Sequence, residues 1–102
     1  FTLEEESRLF RDMATIAGYL HLEDNYVAFA FSTLSRMIRS DLVHMEEIRI
    51  SLSEAVPGAF RVAAESVGMD THSFTEEGIG GNILTKGFLP KFINDLKEKV
   101  TR

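Results

Sequence analysis

The chain has no cysteine among its 102 residues, which excludes disulfides and thiolate metal sites. It has little to break a helix, with two prolines and seven glycines that divide it into long uninterrupted stretches. No apolar run approaches the roughly 20 residues that a membrane-spanning helix requires. The opening residues lack the basic-then-apolar order of a secretory signal, so none is expected. Positive charge is in deficit: 11 Lys and Arg stand against 16 Asp and Glu, for a net charge of −5. Such a chain repels phosphate backbones unless its cations gather on one face, so nucleic-acid binding is disfavoured.

What is present suits one core. Hydrophobic residues make up 44% of the chain, and about 60–65% of the unfolded surface of a domain this size becomes buried. A single domain over residues 1–102 is expected. The start at Phe1 and the charged finish at Arg102 lead us to expect a piece of a longer protein.

The periodicity is helical throughout. Over Phe1–Leu20, Thr2 and Glu5 have the spacing of a capping box, and Phe10, Met13, Ala17 and Leu20 repeat as one stripe. Leu22–Arg39 carries two stripes, Tyr26, Phe29, Ala30, Thr33, Met37 and Val27, Phe31, Leu34, Ile38. A helix apolar around most of its circumference is expected at the centre of a bundle. Met45–Ala55 repeats Met45, Ile48, Leu52 and Ala55, with His44 at its N-cap. Pro57 suits the first turn of a fourth helix with Phe60, Ala63, Ala64 and Val67 inward, and Gly68 its left-handed cap. From Met69 to Asn82 the pattern fades: one short turn capped by Thr71 and reaching Glu77, then a flexible loop at Gly78, Gly80 and Gly81. A last helix falls between Thr85 and Val100 with Leu89, Phe92, Ile93, Leu96 and Val100 inward, and Pro90 delays its regular part to about Leu89. The expected fold is all-α, a compact bundle of five to six short helices with a central apolar helix.

Candidate chemistry is sparse. His21, His44 and His72 lack the i, i+4 partner of a helical zinc motif. His44 and Glu47 share a helix start, but a metal needs three or four convergent ligands, so Glu47 is expected to be solvated. The acidic groups Glu4–Glu6, Glu46–Glu47 and Glu76–Glu77 lie where no apolar run would raise a pKa for acid–base work. Gly78-Ile-Gly-Gly-Asn82 lacks both the preceding strand and the spacing of a phosphate loop. No serine lies in a G-x-S-x-G context. Catalytic, cofactor-binding and metal residues are therefore expected to be none. Arg36, Arg39, Arg49, Arg61, Lys86 and Lys91 could together form a basic surface, which leaves a small helical DNA-binding regulator or a protein-interaction adaptor as rival readings.

Four separated elements stand in order along Leu34–Lys99. They are Glu46-Glu47-Ile48-Arg49 with Leu52; Val56-Pro57-Gly58-Ala59-Phe60; Ala63-Ala64-Glu65-Ser66-Val67-Gly68; and Phe88-Leu89-Pro90-Lys91-Phe92. Together they resemble a compact helical domain of tape-measure proteins, the tail-length determinators of tailed phages and prophages. The chain departs from that pattern at Ser40-Asp41-Leu42, where a lysine-glycine turn is usual, and at Val56, where a leucine is usual. The resemblance covers about two thirds of the chain. It implies a structural, non-enzymatic role in virion assembly, setting tail length and organising the tail tube. The implied partners are tail-tube subunits and a tail assembly chaperone or initiator complex, with weak self-association and no small-molecule substrate. The implied location is the virion tail, and the host bacterial cytoplasm during assembly.

Overall fold

The computed structural model describes every residue, Phe1–Arg102. Six helices and no strand make up the chain, an all-helical bundle measuring 34 × 27 × 23 Å. They are α1 (Leu3–Tyr19), α2 (Asp24–Ile38), α3 (residues 45–55), α4 (Ala59–Ser66), α5 (Thr71–Ile79) and α6 (Thr85–Thr101).

Helix α1 begins with the expected capping box. Thr2 N–H donates to Glu5 Oε1 at 2.7 Å, and Glu5 N–H donates to Thr2 Oγ1 at 3.1 Å. Its buried stripe is Leu9, Met13, Ile16 and Ala17. The expected stripe sat slightly to one side of this. Phe10 is half-buried, edge-on to Phe31 of α2 at 6.0 Å, and Leu20 is exposed beyond the helix end.

Helix α2 buries Ala30, Thr33, Leu34 and Met37 and packs on α1, α3 and α6. Tyr26 and Phe29 in its first turns stay 38% and 42% exposed, where a central helix packed on several sides was expected. The helix that contributes the most buried residues is α6, through Thr85, Phe88, Leu89, Phe92, Ile93 and Leu96.

Helix α3 widens to π geometry over Glu47–Leu52 before closing with Ser53–Ala55. The Ser53 hydroxyl bonds both sides of the break that follows. It donates to the Ile48 carbonyl at 2.8 Å and accepts from Phe60 N–H of α4 at 3.2 Å. Between the helices, Val56-Pro57-Gly58-Ala59 forms a turn closed by Ala59 N–H to the Val56 carbonyl, with Gly58 at φ 85°. That is a type II turn, which wants proline and then a positive-φ residue at its centre. Pro57 therefore lies in the turn and not in the first turn of α4, as the sequence suggested.

Three helices close in the same way. After α1, α4 and α5 the chain takes positive φ at His21, Gly68 and Gly81, and paired N–H groups return to the last carbonyls. Gly68 was legible as such a cap; His21 was not.

Residues 69–82 depart most from expectation. Asp70, not Thr71, caps α5 by accepting from Ser73 N–H at 2.7 Å. The helix then runs through Gly78 to Ile79, and the flexible loop reduces to a tight turn at Gly80–Gly81. Phe74 is its one buried residue, and a single aromatic leaves no periodicity to read. Beyond the turn, Leu42 and Leu84 pair as an isolated antiparallel bridge. Val43 N–H donates to the Ile83 carbonyl, and Thr85 N–H to the Asp41 carbonyl. The second bond supplies a partner to an N–H that would otherwise be orphaned at the start of α6. With Phe88 buried above it, the helix holds from Thr85 through Pro90, four residues before the expected regular start.

Candidate functional site

Sequence-level candidates scatter over the bundle. His21 ends α1, His44 precedes α3 and His72 lies in the first turn of α5. No three His, Asp or Glu side chains converge in metal-ligating geometry. Glu47 is drawn to Arg36 and not to His44 or solvent. Arg36 Nε donates to both Glu47 carboxylate oxygens at 3.2 Å. The same guanidinium donates to Ser32 Oγ and Thr33 Oγ1, so it is fixed at four oxygens.

The basic surface is interrupted by acids. Arg36 pairs with Glu47, Arg49 with Glu46 and Lys91 with Asp95, while Arg39 donates to Ser35 Oγ at 2.7 Å. The glycine segment is no phosphate cradle. Gly78 is helical, and a Cβ there would overlap the side chain of Met45.

The most extensive helix interface joins α1 to α6. Glu5, Arg8, Leu9 and Asp12 face Pro90, Lys91 and Asn94 across a groove of about 370 Å³, and further along Asp12 meets Lys97. Glu5 feels the charge of Lys86 at the start of α6 and Asp12 pairs with Lys97 further on, so contacts advance together along both helices, which lie parallel. The groove carries charge of both signs, but its lining holds no serine, cysteine or histidine. Glu5 is held below the usual carboxylate range by hydrogen bonds from the Thr2 backbone and then its side chain. Asp70 is held low by hydrogen bonds from Ser73 in the same way. Both are ionised caps near neutral pH, unsuited to proton transfer there.

The apolar, proline and glycine residues of the four sequence elements occupy packing and turn positions, while Glu46, Arg49, Glu65 and Lys91 stay exposed. Phe60, Phe74, Phe88 and Phe92 form a continuous aromatic run, with successive ring centroids 5.5, 5.7 and 5.2 Å apart. Such contacts add to the stability that burial alone gives. Ala63 and Ala64 are buried in α4, which packs closely on α6. Sequence reasoning missed Phe74 in this run and missed Thr85, whose buried hydroxyl has no partner; a threonine at a helix start reads as a boundary and gives no other signal.

No helix is long and apolar enough to cross a membrane. Compared with protein-family models, curated proteins and solved structures, the chain matches none.

Proposed function

We propose that this chain is a structural domain of a phage tail tape-measure protein, acting without catalysis in tail-length control and tail-tube organisation. The observation that carries the reading is the placement of the four sequence elements. Pro57 and Gly58 turn the chain, Ala63 and Ala64 let helices approach, and Phe88 and Phe92 fill the core with Phe60 packed against it. A set of residues explained by fold alone suits a part that builds structure. Tyr26 and Phe29, one turn apart on α2 and both exposed, supply an aromatic face of the kind that protein partners cover. Tail-tube subunits, an assembly chaperone or an initiator complex are the partners this reading assigns to it.

The arithmetic of tail length gives the test. As one continuous helix, 102 residues would span about 150 Å at 1.5 Å per residue, whereas the folded bundle extends 34 Å. In-frame deletion of the domain from its phage gene should shorten tails by about the bundle's own extent and not by that of a continuous helix, or block their initiation. Tails of unchanged length on fully infectious particles would overturn the proposal. So would a complete reading frame that ends shortly after Arg102.

A further inference from the structure

Helix α5 buries one of its nine residues, Phe74, whereas the eight-residue α4 buries five. No polar bond ties it to its neighbours. From Asp70 to Asn82 every hydrogen bond runs within the segment, and no ion pair involves any of these residues. Apolar contact holds α5 in place, chiefly at two points. The Phe74 ring lies against Phe60 of α4 and Phe88 of α6, with centroids 5.5 and 5.7 Å away. Near the other end, Gly78 sits so close to the Met45 side chain that a Cβ there would overlap it.

Glycines in the left-handed region flank the segment, Gly68 at φ 72° and Gly81 at φ 71°. A glycine passes between backbone regions with no Cβ to obstruct it, and a few such positions at element ends can absorb a hinge motion. Elements with few buried apolar contacts are those that open at less cost than global unfolding. Swinging α5 outward breaks no hydrogen bond to another helix and gives up the contacts of Phe74 and Gly78.

We infer that α5 is a lid, hinged at Gly68 and Gly81, which opens while the rest of the bundle stays folded. Closed, it covers the Met45 side chain and the Phe60 and Phe88 rings; open, it bares them. The device is independent of the proposed role in phage tails.

The chain carries its own reporters. Met13, Met37 and Met45 are 0%, 5% and 5% exposed; Met45 lies against α5, while Met13 and Met37 belong to α1 and α2. Hydrogen peroxide converts a methionine that it can reach to the sulfoxide. Mass spectrometry of the whole wild-type chain, held below its urea transition, follows that reaction at each position. The expected result is oxidation of Met45 at least ~10-fold faster than of Met13 and Met37, as local opening requires. Phe74→Ala should widen that gap, with Met13 and Met37 still protected. Equal rates at all three in the wild type would overturn the inference, since α5 would then open only with the bundle. Loss of protection at all three in Phe74→Ala would overturn it too, because the other helices would then depend on α5. A Met45 rate unmoved by Phe74→Ala would assign its exposure to fraying of α3 and leave no lid.

Discussion

Lys97 Nζ lies 3.1 Å from Asp12 Oδ1, joining two residues 85 positions apart in the chain. Their side chains are 30% and 15% exposed, so the pair is partly withdrawn from water. It fixes the register of α1 against α6. Lys97→Met leaves the Asp12 carboxylate half-buried without its partner and should cost about 1–2 kcal/mol in urea unfolding. Adding Asp12→Asn should recover part of that loss. Strict additivity of the two substitutions would show that the pair contributes nothing to register.

The glycines separate by what surrounds them. A Cβ at Gly18 or Gly87, both helical, would meet nothing within 4 Å. Gly18→Ala and Gly87→Ala should each stabilise by about 0.5–1 kcal/mol, because alanine loses less backbone entropy in a helix. At Gly78 the same change drives a methyl into buried Met45, and overpacking of about 1–3 kcal/mol outweighs the propensity gain. Thermal unfolding of the three variants should therefore move in opposite directions. If Gly78→Ala is stabilised like the others, the α3–α5 contact is looser than described.

His21 sits at φ 53°, in the left-handed region that disfavours a side chain. His21→Gly should raise stability by about 1 kcal/mol with the same helix end retained. Gly68→Ala, at φ 72°, should lower it by a similar amount of about 1 kcal/mol. Chemical denaturation of both variants checks the pair, and equal signs would contradict the shared helix ending.

Glu5 and Asp70 give the stability curve an acid limb. Both carboxyls are held below their ordinary range in the fold, chiefly by hydrogen bonds that involve Thr2 and Ser73. A lowered folded pKa means the unfolded chain binds protons more readily, so this contribution is present above pH about 4 and fades as pH falls through the folded values. Asp70→Asn keeps a competent cap but removes one titrating group, so its midpoint should depend less on pH in the acid range. A profile parallel to that of the wild type would remove Asp70 from the account.

Much of the helical content was readable because local rules and tertiary packing agree. The capping box, the α3 boundaries, the Gly68 ending and the inward face of α6 all rest on short-range chemistry that neighbouring residues settle. Residues 69–82 were unreadable for the converse reason. One phenylalanine, Phe74, anchors α5 by reaching Phe60 and Phe88, and no spacing within the segment records that contact. The early start of α6 depends on the bond that Thr85 N–H donates to the carbonyl of Asp41, 44 positions upstream.

The same division holds for the whole molecule. By itself the sequence determined an acidic, cysteine-free, all-helical chain and most of its turn chemistry, since propensity, capping and periodicity act within a few residues. Only the tertiary structure decided that Glu47 belongs to Arg36, that α1 and α6 lie parallel, and that Tyr26 and Phe29 face outward. Those outcomes follow from how six amphipathic surfaces share one small core. A helix can declare which of its faces is apolar, but not which neighbour will cover it.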